Sequence, residues 1–391
     1  MEDYDIFNEM ENVTNKKTII VIENDENFII KNLLNSNFEI MPVRFDYDLS
    51  CFSADYIDKT KELFTFYYNE KNNYKNELLR LKKHFMHYQR KPSIAYIPNH
   101  KKYLKLKKML TEIGVECISS KQQLINVINK KLIFIDIDDT LRKSDGTISE
   151  RVKKAIHDNK QSGNKIVICT ARPRYQALEL IKELDTEDII VSSNGSEIYD
   201  NNNKNIIFSS FIDRDLINKL VEYAYTRDIR LILTMDNYDY VTKNIRNSNQ
   251  KLLNEKSYIE DLAKCNVKQC MFIDNKNNEI CEIKDIISKN NKLYIVDEIS
   301  EDSVFDEKWF SVINSNCSKG SALEFLSSYL NIPIENTIAI GNDKNDISMF
   351  DVAGISVAVA NASNYIKDKV DYVTLSNDND GVAIFLETLI K

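Results

Sequence analysis

Glycine and proline are scarce in this chain of 391 residues, at eight and five. Tryptophan occurs once and histidine four times. Collagen-like and mucin-like chains are excluded by that composition. The seven cysteines, Cys51, Cys117, Cys169, Cys265, Cys270, Cys281 and Cys317, form no CxxC pair. An odd, scattered set argues against a disulfide framework or a zinc site and for reduced thiols. No stretch approaches the roughly 18–20 apolar residues of a membrane span. The start, Met1-Glu-Asp-Tyr-Asp5, lacks the basic flank and apolar core of a signal peptide. Excess positive charge is missing too: 52 Lys and Arg face 60 Asp and Glu, a net charge of −8. A broad basic face for nucleic acid or acidic lipid is therefore not expected. These absences point to a cytoplasmic protein without a nucleic-acid or membrane partner. What is present, 43% apolar and 29% charged residues, suffices for real cores. The length suits two or three domains.

Glycine is also unevenly placed. Only Gly114 precedes Gly146, so the tight loops are expected after about residue 130. Residues 1–129 read as a separate small α/β module. Its strands are expected at Thr18–Ile22, Phe38–Met41, Ile94–Ile97 and Val115–Ile118, and its helices at 26–35, 57–90, 101–113 and 121–130. Thr18–Ile22 with Glu23-Asn-Asp25 faintly resembles the start of a response-regulator receiver domain. No phospho-acceptor aspartate follows a third strand, so a degenerate interaction or sensory module with a protein or ligand partner is the better reading. His84 and His87 read as surface or packing residues. The run Lys101, Lys102, Lys105, Lys107 and Lys108 reads as a solvated helix face.

From 130 the strand–helix alternation becomes regular. The all-apolar strand at Leu132–Ile135 and the largely apolar strands at Lys165–Cys169 and Ile189–Val191 predict a parallel sheet covered on both faces. Residues 197–315 read as an inserted mixed α/β unit, and the parallel pattern resumes over 316–391. Polar groups follow these strands directly. Ile133-Phe-Ile-Asp136-Ile-Asp138 runs from a strand into two carboxylates. Thr170-Ala-Arg172 follows the second strand, Asn194-Gly195 the third, and Gly341-Asn342-Asp343-Lys-Asn345-Asp346 a later one. Lys319-Gly320 opens a helix. Strand carboxyl ends in an open parallel sheet are where ligands bind. Two carboxylates, a hydroxyl, a cation and an acid-rich loop suit Mg²⁺ and a phosphoryl group. Two adjacent acids can divide roles, one ionised as nucleophile and the other holding a proton as general acid.

These segments resemble, in order and spacing, the four motifs of the haloacid dehalogenase-like (HAD) hydrolase superfamily, and most closely its Cof-type phosphatases. The likeness covers about residues 131–391. It implies a Rossmann-like parallel-sheet core at 130–196 and 316–391 with a mixed α/β cap at 197–315 that sets substrate choice. It further implies an Mg²⁺-dependent phosphatase of a small phosphate ester, a sugar phosphate or phosphorylated cofactor. Asp136 becomes the nucleophile and forms an aspartyl-phosphate, and Asp138 the acid and base. Thr170 and Lys319 hold phosphate oxygens. Arg172, Asn194, Gly195 and Asn345 line the substrate site. Metal ligation falls to Asp136, Asp138 and the fourth motif, with Asn342, Asp343 and Asp346. Two residues depart from the pattern: Asp139 stands where glycine is frequent, and Asn342 where a metal-ligating aspartate is usual. The second departure keeps two rivals in view, phosphomutase-like transfer and a catalytically weakened binding or regulatory protein.

Overall fold

The computed structural model describes residues 18–22, 39–45, 66–68, 74, 76, 78–79, 94–97, 101–119 and 130–390, except 185–188, 264, 275–276, 297–299 and 303–306. The chain divides into two compact units, Met1–Lys130 and Lys131–Lys391.

In the first unit, β1 (Thr18–Ile22), β2 (Glu39–Phe45), β3 (Phe66–Tyr68), β4 (Ile94–Tyr96) and β5 (Glu116–Ile118) form one sheet with α1 at Leu104–Glu112. Every pairing is parallel. The strand order is β3-β2-β1-β4-β5. A receiver domain has the order 2-1-3-4-5, whereas 3-2-1-4-5 is the dinucleotide-fold order. The faint receiver likeness therefore does not extend to topology. Strand β3 also interrupts the helix expected over 57–90, because Phe66-Tyr-Tyr68 are strong strand formers that pair with β2. The helix expected at 26–35, most of that at 121–130, and His84 and His87 lie outside the described residues.

The second unit opens with β6 (Leu132–Ile135), α2 (Glu150–Gln161), β7 (Lys165–Cys169), α3 (Arg174–Ile181), β8 (Ile189–Ser192), β9 (Glu197–Asp200) and β10 (Asn205–Ser209). A second layer system follows: α4 (Arg214–Thr226), β11 (Arg230–Thr234), β12 (Asp239–Val241), β13 (Gln250–Leu252), α5 (Tyr258–Leu262), β14 (Gln269–Asp274), α6 (Asn277–Ser288), β15 (Leu293–Ile295), β16 (Ser300–Asp302) and β17 (Glu307–Asn314). The chain then returns through α7 (Lys319–Tyr329), β18 (Thr337–Gly341), α8 (Ile347–Phe350), β19 (Ile355–Ala358), α9 (Asn364–Lys367), β20 (Tyr372–Val373) and α10 (Gly381–Thr388).

The large sheet has the order β10-β9-β8-β7-β6-β18-β19-β20. It is parallel from β8 to β20, and β9 and β10 add antiparallel. Period-two alternation splits its side chains between two cores. Ile133 and Ile135 face one core with α2, α3 and α10, while Leu132 and Phe134 face the other with α7 and α8. This explains why β6 is apolar at every position. The chain leaves β6 toward β7 and later returns to β18 on its other side, which opens a crevice at the carboxyl end of β6.

The second sheet, β13-β12-β11-β14-β17-β15 with β16 on β17, is mixed. Its own core includes Phe272 stacked on Phe310 at 5.3 Å, under α4 and α6. The fold is thus α/β with a parallel-core sheet and a second, mixed sheet that forms the cap. Glu197–Asp200 turns back on β8 as a hairpin, and Asn205–Ser209 extends it with a register shift between Ile206 and Phe208. The chain leaves the large sheet only after Ser209.

Candidate active site

Asp136 is the first residue past β6. Its backbone is still extended, and its N–H donates to the Ile340 carbonyl at 3.0 Å, so the β18 ladder holds it in place. The residue is 6% exposed. Lys319 begins α7, where Ser318 and Ser321 cap the helix reciprocally. Its Nζ donates to Asp136 Oδ1 and to Asp346 Oδ1, each at 2.6 Å. Asp346 Oδ2 accepts from the amides of Asn342 at 2.9 Å and Asp343 at 3.1 Å. Gly341 is required there, since a Cβ would lie 2.3 Å from Asp346 Oδ2. Burial pushes the Asp136 carboxyl up to about 7, with Asp346 adding to the rise and Lys319 opposing it. Burial works against the charge on Lys319, but Asp136 and Asp346 outweigh it and hold the ammonium above the ordinary lysine range.

Asp138 is held by two arginines. Arg172 grips it with both ends of its fork, Nε to Oδ2 at 2.7 Å and Nη2 to Oδ1 at 2.8 Å, and Arg142 Nη1 adds a contact at 3.4 Å. Burial pushes its carboxyl up, yet the two arginines outweigh that and hold it below the usual range. Burial thus raises the Asp136 carboxyl, while its arginine partners lower that of Asp138. The departure at 139 also has a backbone meaning: Asp139 sits in the left-handed region at φ 55°, the conformation that favours glycine. Asn361 Nδ2 pins its carbonyl at 2.7 Å.

The other expected residues gather on the same rim. Thr170 follows β7, is buried, and its Oγ1 accepts from the Arg172 amide at 3.1 Å. Asn194 donates from its backbone to the Thr170 carbonyl at 3.1 Å. Its Oδ1 accepts from Asn345 Nδ2 at 3.3 Å. Asn342 Oδ1 accepts from Thr140 Oγ1 at 2.8 Å, tying the fourth motif to the first. Asp343 caps the turn at Lys344–Asp346. Ser193, Asn194 and Gly195 have φ of 49°, 55° and 96°. A Cβ on Gly195 would lie 2.1 Å from the Ser318 carbonyl oxygen, backbone against backbone. Gly195→Ala is therefore expected to cost about 1–3 kcal/mol or more of stability and to displace Lys319. Urea unfolding checks this, and an unchanged midpoint would refute the close approach.

Sequence reasoning missed the side chains that the cap brings to this rim. Gln269 Oε1 accepts from Asn194 Nδ2 at 3.1 Å. Lys268 is buried and bonded to Glu197, and to Asp236 at 2.5 Å. Arg174 Nη1 lies 3.4 Å from Glu197, and Tyr175 Oη donates to Asp239 at 2.8 Å. The available signal was a Lys-Gln pair at the head of the largely apolar strand β14.

The donors near Asp136 are oxygens. No group of three or more His, Cys, Asp or Glu is arranged to hold a metal ion among the described residues. Oxygen donors suit a hard ion such as Mg²⁺, which takes one or two carboxylates and completes its shell with water and substrate oxygens. Asp346 is a poor ligand, since Lys319 and two amides already engage its two oxygens.

The sequence pattern of the haloacid dehalogenase-like hydrolases matches residues 133–386. The chain belongs to that family and, within it, to the Cof-type phosphatases. Among curated relatives, phosphatase YwpJ of Bacillus subtilis is 29% identical, covering 66% of this chain and 100% of its own. The 5-amino-6-(5-phospho-D-ribitylamino)uracil phosphatase YcsE of B. subtilis is 29% identical over 66% of this chain and 94% of its own. A haloacid dehalogenase-like hydrolase structure from B. subtilis superposes with a TM-score of 0.60 at 22% identity, covering 66% of this chain and 99% of that one. Another from Bacteroides thetaiotaomicron gives 0.56 at 25% identity, covering 66% and 99%. No helix among the described residues is long and apolar enough to cross a membrane.

Proposed function

We propose that this chain is an Mg²⁺-dependent phosphatase of a small phosphorylated metabolite, a sugar phosphate or phosphorylated cofactor, acting through an aspartyl-phosphate on Asp136. The observation that carries the reading is the buried Asp136–Lys319–Asp346 triad at the exit of β6. An Asp136 oxygen attacks phosphorus while the bond to the leaving oxygen breaks. Asp138, freed from Arg172 and protonated, gives that oxygen its proton. Water then attacks the phosphorus, Asp138 takes the water's proton, and inorganic phosphate leaves as Asp136 is restored. Lys319 neutralises phosphate charge, and Thr170 and Asn194 stand at the same rim. Bound Mg²⁺ would supply further charge neutralisation, held by Asp136, the Asp138 carbonyl and residues 342–343.

The division we favour is an N-terminal α/β module at 1–129 with its own protein or ligand partner, a core at 130–209 and 316–391, and a cap at 210–315. Cap closure would exclude water during attack. The test is a phosphate-release screen of metabolite esters with Mg²⁺, Mn²⁺ and Co²⁺. Turnover of at least one ester with Mg²⁺ is expected. None with any metal would leave a binding protein on this fold.

Residue 342 gives a sharper expectation. Aspartate there keeps an acceptor for Thr140 and adds a charge beside the metal. Asn342→Asp should lower the Mg²⁺ needed for half-maximal activity by a few-fold to about a hundred-fold, the scale of ligand-shell changes. It should also lower the metal-free melting temperature, because Asp136, Asp138, Asp139, Asp343 and Asp346 already crowd the loop. An unchanged Mg²⁺ titration would show that residue 342 does not face the metal.

A further inference from the structure

Between Asp136 and Arg142 the chain makes a single wide turn. The Arg142 N–H donates to the Ile137 carbonyl at 3.0 Å and closes it. Inside the turn Asp138 and Asp139 leave the helical conformation, Asp138 at φ −76° and ψ 130°, Asp139 at φ 55° and ψ 12°. A residue with a Cβ is strained in the left-handed region and stays there only where its surroundings fix it.

Two asparagines from far along the chain supply that fixing. Asn361 lies beyond β19, and Asn377 lies just before α10. Asn361 Nδ2 donates to the Asp139 carbonyl at 2.7 Å, and its Oδ1 accepts from the Asn377 backbone N–H at 3.1 Å. Asn377 Nδ2 donates to the Arg142 carbonyl at 2.9 Å. The pair thus grips the turn in its strained middle and at its end. Asn377 is buried, whereas Asn361 is exposed and fills no core. The contribution of Asn361 therefore lies in its hydrogen bonds and not in packing. A separate anchor holds the loop that follows: Ser144 donates from N and Oγ to Asp378 Oδ1 and Oδ2, each at 2.8 Å. Loss of Asn361 leaves that anchor standing.

We propose that Asn361 is a positioning residue: by holding the Asp139 carbonyl it fixes the strained turn that aims the Asp138 carboxyl. This rests on the phosphatase reading above, in which Asp138 leaves the Arg172 fork to move a proton. Once it has left, the turn alone sets where its carboxyl lies. Asp136 does not depend on the tether, because the β18 ladder and Lys319 hold it. Loss of Asn361 should therefore slow proton transfer without weakening phosphate binding. Glycine at 139 would take the left-handed conformation without strain and make the tether less necessary.

The test uses the full chain with Mg²⁺ and the fastest ester of the phosphate-release screen, p-nitrophenyl phosphate included. Asn361→Ala loses two hydrogen bonds and should lower kcat by about five- to a hundred-fold, with KM within about two-fold. In the metal-free protein, amide hydrogen exchange over residues 137–142 should quicken by about three-fold or more, with the melting temperature within about 3 °C of wild type. Asp139→Gly added to Asn361→Ala should restore about three- to ten-fold of the lost kcat. Asn361→Asp keeps the acceptor for Asn377 and turns an oxygen toward the Asp139 carbonyl. It should show the same split between kcat and KM, and it serves if the alanine variant does not fold. A loss carried by KM, a lower melting temperature with unchanged kcat, unchanged exchange, or no restoration by Asp139→Gly would overturn the assignment while the phosphatase reading stands. A wild type that turns over no ester would remove both together.

Discussion

Asp136→Asn is expected to abolish turnover while leaving the protein folded. The amide has no anionic oxygen to attack phosphorus, so the covalent route closes. Loss of a nucleophile of this kind costs on the order of 10⁶-fold in rate in a well-built hydrolase. The structural consequence runs the other way. Two buried carboxylates, Asp136 and Asp346, share one ammonium. Replacing Asp136 with a neutral group of the same size leaves Lys319 and Asp346 as a balanced pair. The metal-free melting temperature should therefore equal or exceed that of the wild type. Phosphate release and differential scanning calorimetry on the same preparations check both halves. More than a few per cent of residual activity would sink the aspartyl-phosphate route. A collapse in melting temperature would mean that Asp136 is a structural residue first.

Lys319→Met is expected to damage both rate and stability. Its side chain is fully buried and holds two carboxylates at 2.6 Å. Removing one member of a buried charge group leaves the others uncompensated, at a cost of about 3–5 kcal/mol. Methionine fills the volume, so the loss is electrostatic rather than a cavity. Asp346 also receives the amides of Asn342 and Asp343, so the fourth motif should loosen with it. Where the variant folds, loss of phosphate neutralisation should remove a further ~2–4 kcal/mol from the transition state. Chemical denaturation and kcat/KM on p-nitrophenyl phosphate measure the two effects separately. Unchanged kinetics would place the phosphate away from this lysine, and unchanged stability would deny the triad.

The parts of the site legible in sequence are those written at strand ends. Leu132–Ile135 and Lys165–Cys169 are strands as read, and Asp136 and Thr170 follow them directly. A buried parallel strand must be apolar on both faces, so its end is marked by the first polar residue. Cap-to-core contacts have no such local mark. Asn194 and Gln269 are 75 residues apart, and Glu197 and Lys268 are 71 apart. Neither pair leaves a periodicity. The grip of Arg172 on Asp138 was equally hidden, because it depends on the direction of the guanidinium fork and not on spacing. An antiparallel hairpin on a parallel sheet, as β9 and β10 form, reads in sequence like the start of a new unit.

The two margins of the large sheet bear on how the protein keeps to itself. One margin, β10, carries a register shift between Ile206 and Phe208. The other, β20, is two residues long, and both Tyr372 and Val373 are exposed. A kinked strand and a stub each present a poor row of backbone donors and acceptors to a neighbour. Both margins are therefore poor templates for adding a strand from another chain, even though the interior strands of the sheet are largely apolar.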